Sequence, residues 1–148
     1  MYLRILFSSL FIFVLFACNE QPVSSDAAAI TDLINSAYVD GTQNRGDLNL
    51  VRKGFHPEFS MFRQIDGKII KVSLDEWIAA IEKRIAENPE PLKELTTGKI
   101  ISIDITEESA LAKVELHKSG QLIFTDYLAL YKFKNEGWRI ISKTYYKH

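Results

Sequence analysis

The chain has 148 residues, of which 47% are hydrophobic and 25% charged, with a formal net charge of −1 at pH 7. That length suits one domain with its own core and excludes two, and the near-neutral balance excludes the basic excess that nucleic-acid binding demands. A single cysteine, Cys18, excludes an internal disulfide framework or a cysteine metal cluster, and the three histidines, His56, His117 and His148, show no metal-ligand spacing.

The N-terminus carries an address. Met1 to Arg4 is a short positive segment, and Ile5 to Phe16 is an apolar run too short to span a bilayer comfortably. Leu15-Phe16-Ala17-Cys18 resembles the bacterial lipoprotein signal, which is cut before a cysteine that then receives lipid. The resemblance implies a signal peptide over 1–17, a lipidated polar tether over 18–25 and a domain over 26–148. It implies a protein of the cell envelope, held by lipid on Cys18 to a membrane outside the cytoplasm, on the periplasmic side or at the cell surface. Loss of Arg4 with the leader takes one from the 18 basic residues and none from the 19 acidic ones, leaving a formal −2.

Ile30, Leu33, Ile34, Ala37, Tyr38 and Gly41 fall at i, i+3, i+4, i+7, i+8 and i+11, the stripe of an amphipathic helix capped by Ser25 or Asp26 and ended near Gly46. Asp47 caps a short second helix that carries Leu48, Leu50 and Val51 and stops near Gly54. His56-Pro57 forces an extended step. Phe59 to Ile65 and Lys68 to Val72 read as strands joined by Asp66-Gly67, a two-residue hairpin signal. Ser73-Leu74-Asp75-Glu76 is a capping box, and Leu74, Trp77, Ile78, Ile81 and Ile85 form the buried stripe of a third helix, ended by Asn88-Pro89.

Three long strands finish the chain. Lys99 to Thr106 places Ile101, Ile103 and Ile105 on one face, and Ala110 to His117 places Ala112, Val114 and Leu116 inward. Gln121 to His148 is a hairpin turning at Asn135, Glu136 and Gly137. A tip at Asn135-Glu136 sets Asp126 opposite Tyr145, with Lys143 diagonal to it, and puts Trp138 and Ile140 on the opposite face with Tyr127, Tyr131 and Tyr146. A three-residue loop using Gly137 shifts the pairing by one and sets Tyr146 opposite Asp126. Helices gathered before a run of strands predict an α+β fold with the helices on one side of a curved sheet.

Tyr38-Val39-Asp40-Gly41, Phe55-His56-Pro57-Glu58-Phe59, the Asp66-Gly67 hairpin, Trp77-Ile78, Phe124-Thr125-Asp126-Tyr127 and Gly137-Trp138-Arg139-Ile140 together resemble the nuclear transport factor 2-like superfamily, which includes the SnoaL-like cyclases and ketosteroid isomerase. Within it the chain looks most like the putative lumazine-binding family. The resemblance covers about residues 26–148. It implies a cone of about three N-terminal helices packed on a curved, mostly antiparallel sheet, with an apolar pocket inside.

Asp126 is a carboxylate in an apolar row, suited to acid–base work or ligand anchoring, or else half of a structural pair with Lys143. His56 is a general base by type, or else a residue that fixes its turn. The expected ligand contacts are Tyr38, His56, Phe62, Trp77, Asp126, Lys143 and Tyr145, with Phe55, Phe59 and Tyr127 as further aromatic wall or core. No nucleophile elbow, phosphate loop, dinucleotide fingerprint or zinc motif occurs, so neither cofactor nor metal is expected. Ketosteroid isomerase chemistry would ask for an acid pair around its tyrosine, and only one inward carboxylate is evident. The leading expectation is a lipid-anchored protein that binds a small organic ligand. One alternative is a cofactor-free isomerase, cyclase or dehydratase using Asp126 or His56. A second is an interaction module that forms a homodimer through its aromatic sheet face.

Overall fold

The structure, a computed structural model, describes residues 25–148; the expected signal segment, Cys18 as the expected site of lipidation and the expected tether up to residue 24 lie outside the described residues. Three helical pieces and six strands follow one another as α1 (Ser25–Leu33) continued by a π-helical segment (Ile34–Gln43), α2 (Leu48–Gly54), β1 (Phe55–Ile65), β2 (Lys68–Ser73), α3 (Leu74–Glu87), β3 (Thr97–Thr106), β4 (Ser109–Lys118), β5 (Gln121–Phe133) and β6 (Gly137–Lys147). The strands form one curved sheet in the order β2-β1-β6-β5-β4-β3, antiparallel throughout except where β1 runs parallel to β6. The helices cover its concave face, the α+β arrangement that the sequence implies.

Local signals set most element ends. Asp47 accepts the N–H of Asn49 at the start of α2. Ser73 and Glu76 exchange both bonds of the capping box at α3. Asp66 and Gly67 take φ of 49° and 76°, the pair of left-handed residues that a tight two-residue hairpin needs. Asp26, in the first turn of α1, accepts from Trp138 Nε1 at 3.0 Å and from Lys132 Nζ at 2.7 Å, which ties the first helix to the tip of the last hairpin.

The first helix departs from the expected α-winding. From Ile34 it widens into a π-helix, whose bonds close i to i+5. Three hydroxyls bond back to carbonyls four residues earlier along this piece: Thr31 to Ala27, Ser36 to Asp32 and Thr42 to Tyr38. Such bonds compete with regular helix and bend it. The widened winding buries Val39 and Thr42 alongside the expected Ile34, Ala37 and Tyr38.

The core lies between this helix and the inner sheet face, and includes Ile30, Ile34, Val51, Phe55, Leu116, Leu128, Leu130 and Ile140, each at most 1% exposed. Full burial of each such side chain contributes about 1.5–3 kcal/mol. Two bulges alter the expected faces. In β3 the pairing passes from Ile100↔Val114 to Ser102↔Lys113, so Ile101 is the extra residue, and Ile100 replaces it against the core. In β6 it passes from Ile140↔Leu130 to Ser142↔Ala129, with Ile141 as the extra residue. Trp138 and Ile140 are therefore buried, not on the outer face with the tyrosines. The hairpin tip also differs from the preferred reading, because Phe133 faces Gly137 across a three-residue loop. That loop shifts the pairing by one and the Ile141 bulge shifts it back. Asp126 consequently faces Tyr145, the pair expected from the sequence.

Candidate functional site

Two inward rows of the sheet build the site. One runs Val114, Asp126, Tyr145, and the next runs Ala112, Leu128, Lys143, Met61. Asp126 and Lys143 are thus diagonal neighbours across β5 and β6, the spacing at which long side chains meet. The π-helical segment brings Tyr38 down between them. Its hydroxyl donates to Asp126 Oδ2 at 2.5 Å and accepts from Lys143 Nζ at 2.7 Å, while Lys143 Nζ also donates to Asp126 Oδ1. Tyr38 and Asp126 are 0% exposed and Lys143 5%, so a closed ring of three polar groups sits in an otherwise apolar interior. Such a ring is tolerable because each member is satisfied.

Aromatic faces complete the setting of the ammonium. Lys143 Nζ lies 4.9 Å from the Tyr38 ring centroid and 4.7 Å from that of Tyr145, within cation–π range. Burial pushes the Lys143 ammonium below its ordinary pKa, against the opposing pull of the Asp126 charge. Burial also raises the Tyr38 hydroxyl well above its ordinary value, and the Asp126 charge adds to this, so Tyr38 remains a proton donor. Two of the three ammonium hydrogens of Lys143 are used inside the ring. The third is free for a ligand acceptor in the cavity that Lys143 lines.

That cavity has a volume of about 190 Å³ and is walled by Tyr38 and Gln43 of the π segment, Met61 of β1, Trp77 and Arg84 of α3, Phe124 of β5, and Lys143 and Tyr145 of β6. Four residues expected at the site line it together: Tyr38, Trp77, Lys143 and Tyr145. Asp126 stands behind Lys143, both oxygens engaged, and does not form the wall. His56 lies elsewhere, its Nδ1 accepting the N–H of Glu58 at 3.1 Å and its ring stacked on Phe133 with centroids 4.8 Å apart. Phe62 is also off the wall. Met61 pairs with Lys143 and shares its inward face, so Phe62, one residue on, points to the other side. Phe55 and Phe59 are core, edge-on to each other at 4.9 Å, with Trp77 stacked on Phe59 at 5.7 Å. Tyr127 is on the outer face, 43% exposed.

Sequence reasoning missed Gln43, Met61, Arg84 and Phe124 as wall residues. Arg84 had a readable signal: it lies seven residues after Trp77, two turns along one helical face. Gln43 had none. It follows Tyr38 by five residues, about 140° away around an α-helix at about 100° per residue but at the i to i+5 spacing that the bonds of a π-helix bring together. Among the described residues, no group of three or more His, Cys, Asp or Glu side chains is placed to hold a metal, and no helix is long and apolar enough to cross a membrane.

Among solved structures, the fold is similar to that of a nuclear transport factor 2-like protein of unknown function from Silicibacter pomeroyi DSS-3, at 24% identity and a TM-score of 0.63 over 82% of this chain and 94% of that one. A nuclear transport factor 2-like protein of unknown function from Methylobacillus flagellatus KT aligns at 23% identity and 0.61 over 85% and 95%. A protein from Shewanella frigidimarina NCIMB 400 described as a putative ketosteroid isomerase aligns at 21% and 0.57 over 84% and 97%. These likenesses establish the nuclear transport factor 2-like fold. No curated protein matches the chain. Residues 25–146, from the start of α1 into β6, match the family described as putative lumazine-binding, and the chain belongs to that family.

Proposed function

We propose that this chain is an exported, lipid-anchored protein that binds a small organic molecule in the cavity over Lys143. The carrying observation is the wall itself: Trp77, Phe124 and Tyr145 supply flat apolar surface, while Lys143 and Tyr38 supply fixed polar contacts. Apolar walls with a few placed polar groups are the usual makeup of a ligand site. The family's description as putative lumazine-binding supports the same reading. At about 30 Å³ per water, a cavity of about 190 Å³ holds roughly six waters, which matches a one-ring compound or the inner half of a two-ring one.

Binding has more support than catalysis by Asp126 or His56. Neither residue lines the cavity, and neither Asp126 oxygen is free to take a proton from a ligand there. The test is titration of a Trp138→Phe protein, whose one remaining tryptophan among the described residues, Trp77, is in the cavity wall. Lumazine and a panel of one-ring heterocycles should quench it saturably and raise the melting temperature. Absence of both effects at millimolar concentration would sink the reading. A second reading, a homodimer, draws on Tyr127, Tyr131 and Tyr146, which are 43%, 47% and 66% exposed on the outer sheet face; sedimentation at the mass of a monomer at every protein concentration tested removes it.

A further inference from the structure

We infer that the ligand of this cavity is an anion, a single-ring aromatic or heterocyclic carboxylate, and that Arg84 binds its charge. This rests on the cavity being a ligand site. Two cationic side chains and no carboxylate form its wall. The two cations are not equivalent. Lys143 is already neutralised by Asp126, which stands directly behind it. Arg84 forms no ion pair among the described residues. Its side chain is exposed, and its one bond there goes from Nη2 to the carbonyl of Thr42 at 3.0 Å, which draws the guanidinium to the cavity and leaves other N–H donors free.

The wall therefore carries one uncompensated positive charge, although the chain as a whole is slightly negative. A planar guanidinium with free donors matches a carboxylate in a two-bond fork, more closely than an ammonium would. Trp77 and Arg84 lie on the same face of α3, so a ring lying along Trp77 brings a ring-bound carboxylate toward Arg84. The other edge of the ring then meets Lys143 and Tyr38. The free ammonium hydrogen of Lys143 favours an acceptor on that edge, such as a ring nitrogen or carbonyl. An amine ligand would add a third positive charge and is disfavoured.

The probes are benzoate and nicotinate, their amides benzamide and nicotinamide, and benzylamine, titrated against the Trp138→Phe protein and its Arg84→Gln and Arg84→Lys derivatives. The acids should bind about tenfold or more tighter than the amides, nicotinate best of all, and benzylamine weakest. Arg84→Gln should bring the acids down to the affinity of the amides, Arg84→Lys should keep part of the preference, and added salt should weaken the acids alone. Amides that bind as tightly as acids, or an acid preference that survives Arg84→Gln, would overturn the inference and leave the binding site standing. Failure of every probe, lumazine included, would overturn both.

Discussion

The ring of Tyr38, Asp126 and Lys143 makes the stability of the fold depend on its completeness. Asp126→Ala leaves a buried ammonium without its counter-charge, and loss of one partner of such a pair costs about 3–5 kcal/mol. Asp126→Leu combined with Lys143→Met removes both charges, and should cost clearly less than either single change in urea denaturation. Equal or greater cost in the double variant would show that the pair is itself a source of stability. Tyr38 adds a dependence on pH. Its folded-state pKa is raised well above the ordinary 10.0, so above that pH the unfolded chain gives up a proton that the folded chain retains. Stability contributed by Tyr38 is thus complete below pH 10.0 and is lost as pH rises. Lys143 acts in the opposite sense, because its lowered pKa makes the unfolded chain bind more protons up to its ordinary 10.5. Above pH 10.5 only the tyrosine effect remains, at up to about 1.4 kcal/mol per pH unit. Tyr38→Phe should therefore flatten the alkaline limb of the stability profile, and an unchanged slope would show that other groups set it.

At the scale of elements, what was legible was local chemistry. The Ser73 capping box, the Asp66-Gly67 hairpin and the Asp47 cap each specify themselves within four residues, and each is where the sequence places it. The bulges at Ile101 and Ile141 and the π-winding after Leu33 were not legible, because they answer to packing between distant segments. The last hairpin shows how far this matters. Its tip uses a three-residue loop where two were preferred, yet the Ile141 bulge restores the pairing of Asp126 with Tyr145. The polar cluster was readable because one carboxylate in an apolar row demands a partner, whereas Gln43 became a wall residue only through the π-winding. Packing of α2 on the first helix gives a further test. A Cβ on Gly54 would lie 2.3 Å from Ala37 Cβ, and neither group can rotate away. Gly54→Ala should cost about 1–3 kcal/mol by overpacking, and combining it with Ala37→Gly should cost less than the sum of the two. A thermally neutral Gly54→Ala would mean that α2 shifts freely against the helix beneath it.

The whole molecule places its described start and its cavity at different ends of the last hairpin. Asp26 is held at the tip by Lys132 and Trp138, whereas Phe124, eight residues back along β5, borders the cavity. At about 3.4 Å per residue the two points are roughly 27 Å apart along the strand. A lipid tether joined at Ser25 would accordingly begin at the end of the hairpin away from Phe124, which makes the proposed anchor compatible with the proposed binding. The two can be separated by experiment. In a bacterial host, Cys18→Ala should abolish incorporation of labelled palmitate and move the protein from the membrane to the soluble fraction. The released protein should titrate with the same probes at the same affinity, since the described wall is built from residues between Tyr38 and Tyr145. Membrane retention of Cys18→Ala, or a wild-type chain that takes up no palmitate, would rule out the lipid anchor while leaving the cavity, and the fold that builds it, untouched.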